Sequence, residues 1–146
     1  MFRPVTLFDV SRQRSKIAAE IDLPNHLPHL CLPERQLRRL DRATCILLLA
    51  ANEAWQQSGW EPSENLPMVL GTTAGGMLLG EEYFRNAVGF PAQHRGQATR
   101  ALHYQPQTQG RVIAEAFGFR GPIFIIANAC ASGSNALGQA WELIRS

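Results

Sequence analysis

The chain has 146 residues, 45% of them hydrophobic and 18% charged, with a formal net charge of +2. That length suits one domain with a real core, and the composition excludes a disordered chain. The small charge gives no reason to invoke nucleic acid. Three cysteines at wide spacing, Cys31, Cys45 and Cys130, do not read as a disulfide framework and suit a reducing compartment. No stretch reaches the eighteen or so apolar residues of a membrane span, and the N-terminal residues lack the apolar core of a signal peptide, so no membrane is expected and the expected location is cytoplasmic.

Taken in order, the first 33 residues are expected to be irregular, because Pro4, Pro24, Pro28 and Pro33 punctuate them and "DLPNHLPHLCLP" is a proline-rich loop. A long helical pattern follows. Leu37, Leu40, Thr44, Leu47, Leu48, Ala51 and Trp55 recur at three- and four-residue steps. Asp41 is placed to cap its main segment, and Gly59 stands just past its end. The basic residues of "RRLDR" and of residues 12–16 are expected on solvated faces, with an acidic partner as the alternative.

"PMVLG" predicts a short buried strand, "GTTAGG" a tight glycine turn, and residues 77–88 a helix. Residues 90–105 have the composition of a loop. "QGRVIAEAFGF" predicts an amphipathic helix ending at Gly118. "GPIFIIANA" predicts a second strand, apolar on both faces as a covered parallel strand is. From Ala131 the helical period returns, with Ala136, Leu137, Ala140 and Ile144 on one face. Strands alternating with helices predict an α/β layered domain.

Cys130 therefore falls where a strand gives way to a helix. A side chain at that junction projects beyond the carboxyl end of the strand, where open α/β sheets bind ligands. The N–H groups and dipole of the following helix point at it, which favours a thiolate nucleophile and can stabilise an oxyanion. The small residues Ala129, Ala131, Ser132 and Gly133 suit a cramped turn with room for substrate. On spacing alone, the competing reading is an inert buried cysteine.

The string "NACASGSNALGQAWELIR" closely resembles the active-site signature of the β-ketoacyl synthases, the condensing enzymes of fatty-acid and polyketide synthesis within the thiolase-like superfamily. "FRPVTLFDVSRQRSKIAAEID", "LDRATCILLLAANEAW", "VLGTTAGG" and "FGFRGPIFIIANAC" resemble further segments of that family, in its order. The resemblance implies a partial thiolase-like α/β fold, one partial N-terminal synthase domain over residues 1–146, and Cys130 as the acyl-accepting nucleophile. It implies acyl carrier protein or coenzyme A thioesters as partners, a homodimer, and no cofactor or metal. Ala74 falls in the region that family members use near the acyl pocket, where a small side chain leaves space for a longer chain.

By the same resemblance, the family's first strand and its two later catalytic histidines are not represented here. His26, His29, His94 and His103 match no catalytic-histidine motif. The expectation is a chain that carries the nucleophile but does not by itself complete the condensation, with a non-catalytic fragment as the alternative. The strand before Cys130 is expected at the family's dimer interface, pairing residues 123–127 across a twofold. Thiolases carry a related nucleophile motif, but Asn128 lies two residues before Cys130 rather than three, and "LDRAT" and "FDVS" favour the synthases. A chain-length-shaping partner subunit would typically lack the cysteine. The cluster His26, His29 and Cys31 lacks a fourth ligand for zinc, and "GTTAGG" lacks the ending of a phosphate loop.

Overall fold

The computed structural model describes residues 2–28, 30–60, 65–93, 102 and 104–146. The expectations for His29, His94 and His103 lie outside the described residues.

The N-terminal segment is more ordered than its prolines suggest. Strands β1 (Arg3–Pro4) and β2 (Ile17–Ala18) pair antiparallel, with Arg3 opposite Ala18 and Pro4 opposite Ile17. Side chains hold this hairpin in place. Arg3 donates to both carboxylate oxygens of Asp22 at 2.8 and 2.6 Å, and its Nε lies 3.4 Å from Glu20. Glu20 in turn accepts from the N–H groups of Thr6 and Leu7 at 2.8 and 3.1 Å and from the Thr6 hydroxyl at 2.9 Å. Those hydrogen bonds, led by the Thr6 N–H, hold the Glu20 carboxyl below its ordinary value of 4.5. The Arg3 hydrogen bond and charge hold Asp22 below its ordinary 3.8.

Both carboxyls are depressed in the folded state. Their contribution is therefore present above the ordinary values and lost as pH falls through the folded ones. Amide-exchange protection factors at Thr6 and Leu7 are expected to hold at neutral pH and fall once the pH drops below about 4. Protection unchanged at neutral pH in Glu20→Ala would contradict this role of the carboxylate.

The helical pattern divides as its capping signals require. Helix α1 (Glu34–Leu37) is a single turn, and α2 (Arg42–Ser58) is the main segment. Asp41 accepts from the N–H of Thr44 at 3.0 Å, a cap contributing about 1 kcal/mol. Gly59, at φ 64°, ends α2 in the left-handed conformation that glycine adopts without a Cβ penalty. Thr44, Cys45 and Leu48 are buried along its inner face. Burial and the negative charge of Asp41 push the Cys45 thiol up.

Next come β3 (Met68–Gly71), α3 (Met77–Gly89), a 3-10 turn (Pro91–Gln93), α4 (Pro106–Phe117), β4 (Ile123–Ile126), a second 3-10 turn (Ala129–Ala131) and α5 (Ser132–Arg145). Helix α4 begins three residues before the pattern "QGRVIAEAFGF", because Pro106 supplies a pre-set first turn. Strands β3 and β4 are parallel, with Met68 beside Ile123 and Gly71 beside Ile126. Helix α4 packs on one face of this pair and α5 on the other. Alternation along the strands does the sorting. Ile123 and Ile125 reach the Gly110 position of α4, whereas Gly71 faces the start of α5.

The core lies between α2 and α4, where Leu32, Leu48, Val112, Ile113, Ala116 and Phe117 are buried together. Trp55 closes it against Phe117 and Phe119, with ring centroids 6.0 and 5.1 Å away.

Two expectations need correction. Strand β4 is not covered on both faces: Ile123 and Phe124 are 36% and 38% exposed. Leu137 and Ile144 do not share the packed face of α5, being 76% and 81% exposed. At 100° per residue, the packed stripe runs through Ser132, Ala136, Ala140 and Leu143. Leu137, Trp141 and Ile144 lie on a neighbouring arc, which makes a second apolar stripe in solvent.

Candidate active site

The site grows from the carboxyl ends of β3 and β4. Beyond Ile126 the chain leaves the strand through Asn128, at φ −133° and ψ 54°, and then turns sharply. Ala129 makes that turn at φ 56°, the only non-glycine residue with positive φ among the described residues. This left-handed conformation costs an alanine about 1–2 kcal/mol, so tertiary contacts must hold it. Cys130 follows within the 3-10 turn, two residues before α5 begins, and it is exposed. The junction expected from the sequence is thus present. The thiol sits on a strained elbow between strand and helix, at the amino end of a fourteen-residue helix that has no side-chain cap.

The contacts that hold the elbow come from Ser132 and from the glycine turn after β3. The Ser132 hydroxyl accepts from the N–H of Asn128 at 2.9 Å and donates to the carbonyl of Ala129 at 2.7 Å. The Ser132 N–H bonds to the same carbonyl. Thr73 reaches across from the turn, donating its hydroxyl to that carbonyl at 3.0 Å. Gly71 makes the approach possible, since a Cβ there would lie 2.4 Å from the carbonyl oxygen of Ser132. Ser132 reads in the sequence merely as one more small residue. The serine two positions after the cysteine is the available signal, since its partners Asn128 and Ala129 are local, whereas the Thr73 contact joins segments far apart in the chain.

Ala74 is half-buried and directly follows Thr73, so the turn that carries it lies against the elbow. The structure thus brings the Cys130 and Ala74 segments together. The other two cysteines are elsewhere: Cys31 is exposed in the proline-rich loop, and Cys45 is buried in α2. His26 lines a cleft of about 610 Å³ with Leu27, Leu37 and Cys45, which Cys130 does not line. A second apolar cleft, of about 600 Å³, lies along α3 between Met77, Phe84 and Tyr104. Among the described residues, no group of three His, Cys, Asp or Glu side chains is arranged to hold a metal, and no helix is long and apolar enough to cross a membrane.

Comparison with known proteins agrees with this architecture. The chain superposes on a β-ketoacyl synthase from Burkholderia phymatum STM815 with a TM-score of 0.73 and 21% identity, over 99% of this chain and 36% of that one. This establishes the thiolase-like layered fold. It is 34% identical to the putative polyketide beta-ketoacyl synthase 1 of Streptomyces halstedii, and 33% identical to the tetracenomycin polyketide synthase ketoacyl synthase alpha subunit of Streptomyces glaucescens. Nodulation protein E of Rhizobium meliloti is 27% identical. The matches cover 97%, 98% and 97% of this chain, which spans 35% of the length of each of these relatives. The model of the beta-ketoacyl synthase N-terminal domain matches residues 9–146, and the chain belongs to the β-ketoacyl synthase family.

Proposed function

We propose that this chain carries the acyl-accepting part of a polyketide-type β-ketoacyl synthase, with Cys130 as the nucleophile. The observation that supports this most is the exposed thiol on a strained elbow at the amino end of α5. In the proposed first step the Cys130 thiolate attacks the carbonyl of an acyl thioester on acyl carrier protein or coenzyme A. The tetrahedral intermediate expels the carrier thiolate, which takes up a proton, and leaves an acyl thioester on Cys130. N–H groups at the start of α5 are suited to the transient oxyanion. In the second step a malonyl thioester loses carbon dioxide. The resulting carbanion attacks the acyl carbonyl and releases the Cys130 thiolate together with the β-ketoacyl product. That step needs general acid–base groups that the elbow itself does not supply.

Ala74, on the turn beside the elbow, is proposed to border the acyl chain. A cytoplasmic setting, which keeps thiols reduced, suits three free cysteines. The partly exposed edge at Ile123 and Phe124 is the proposed seat of a homodimer contact.

The test is to incubate the chain with acyl thioesters of graded length and map the adduct by peptide mass spectrometry. The expected result is one acyl group on Cys130, absent in Cys130→Ala, with Cys31 unmodified. Acylation of Cys31 at a similar rate, or none at Cys130, would remove the proposal. Ala74→Ile is expected to shift the preference toward shorter chains, and an unchanged length profile would remove Ala74 from the pocket. The alternative reading, a subunit that only shapes a partner's pocket, predicts no acyl adduct at all.

A further inference from the structure

The Ala129 carbonyl gathers an unusual set of donors for one exposed turn. The Ser132 hydroxyl at 2.7 Å, the Thr73 hydroxyl at 3.0 Å and the Ser132 N–H all bond to it. A carbonyl oxygen has two lone pairs, so this acceptor is saturated. It belongs to the one non-glycine residue in the left-handed region among those described. Ser132 is only 3% exposed, and its oxygen is itself fixed by the Asn128 N–H. The Ala129 carbonyl and the Cys130 N–H share one rigid peptide plane and point in opposite directions. Holding the carbonyl inward therefore fixes the direction of the Cys130 amide and the Cα that bears the thiol.

We propose that the Ser132 and Thr73 hydroxyls clamp the Ala129 carbonyl and so orient Cys130, which makes both of them positioning residues for acyl transfer. Neither hydroxyl is given any contact with substrate. Without the Ser132 oxygen, Ala129 loses its shortest tether and is free to relax out of its costly conformation. The plane then turns and carries the sulfur with it. The clamp rests on the reading of Cys130 as acyl acceptor given above.

Two reagents separate orientation from simple access. Transfer from an acyl N-acetylcysteamine thioester needs an aligned sulfur, whereas iodoacetamide needs only an accessible one. Ser132→Ala is expected to slow acyl transfer to Cys130 by roughly 10–100-fold, in line with the cost of small misplacements. Its iodoacetamide rate is expected to stay within about threefold of the parent, because that reaction does not draw on the same alignment. Ser132→Thr, which keeps the hydroxyl, is expected to restore acyl transfer. Thr73→Val, at an exposed position, is expected to give a smaller loss in the same direction and carries the test if Ser132→Ala does not fold. The double variant should lose less than the product of the two single losses, since both act on one carbonyl.

A Ser132→Ala chain that folds and acylates as fast as the parent overturns the clamp. So does an equal loss with both reagents that tracks loss of folding by circular dichroism. A parent that takes no acyl group at all instead ends the acceptor reading, and the role given to the clamp ends with it.

Discussion

Gly71→Ala is expected to destabilise the chain by about 3 kcal/mol, the upper part of the usual range for inserting a methylene into packed structure. The added Cβ would lie 2.4 Å from the Ser132 carbonyl oxygen and 2.8 Å from the Gly133 nitrogen. Real Cβ atoms do not approach that closely, and the neighbours here are backbone atoms that cannot rotate away. Either β3 or the start of α5 must move. Because Ser132 is the residue struck, the elbow should shift together with the packing. Urea unfolding followed by circular dichroism measures the first effect, and acyl transfer to Cys130 measures the second. A midpoint within error of the parent would mean that the close approach of β3 and α5 is not real.

Leu48→Ala is the second large effect. Leu48 is 0% exposed and is the largest completely buried side chain among the described residues. It projects from α2 into the cluster formed by Leu32, Val112, Ile113 and Phe117. Truncation removes the transfer free energy of the lost carbons and leaves a cavity, together about 2–5 kcal/mol. For a domain of this size that is a large fraction of the whole stability. The same denaturation experiment reads it, and a loss below about 1 kcal/mol would contradict the packing between α2 and α4. The Leu48 site is separate from the elbow, so any acyl transfer by the folded fraction should keep its parental rate. Gly71→Ala should not show that separation.

Much of this architecture could be read in the sequence, for physical reasons. Asp41 and Gly59 mark the ends of α2 because unpaired N–H groups need an acceptor and a left-handed residue is cheapest as glycine. "PMVLG" and "GPIFIIANA" are short apolar runs bounded by turn residues, and they give β3 and β4 in a parallel pair. The position of Cys130 follows from where the second run ends and the helical period begins. The hairpin of β1 and β2 leaves no mark in the sequence, because two-residue strands show no periodicity. What fixes it is the charge of Glu20 and Asp22 gathered around Arg3. The packed face of α5 departs from its sequence pattern for a different reason. Ala136, Leu137, Ala140 and Ile144 do fall within one arc, but helix α5 turns its smaller side chains to the sheet, where Gly71 leaves room only for a close approach. The conformation of Ala129 had no local signal. An alanine next to a cysteine does not announce a positive φ, and of the groups that hold it, Ser132 is local while Thr73 comes from far along the chain.

That dependence separates the signature from the working geometry. Thr73 and Ala129 stand 56 positions apart. A synthetic peptide spanning residues 124–146 would carry every letter of the motif, yet it would lack Gly71 to seat the helix and Thr73 to tether the bend. Transplanting the motif into another scaffold therefore means moving two stretches of chain, with the spacing between their backbones preserved to within a fraction of an ångström.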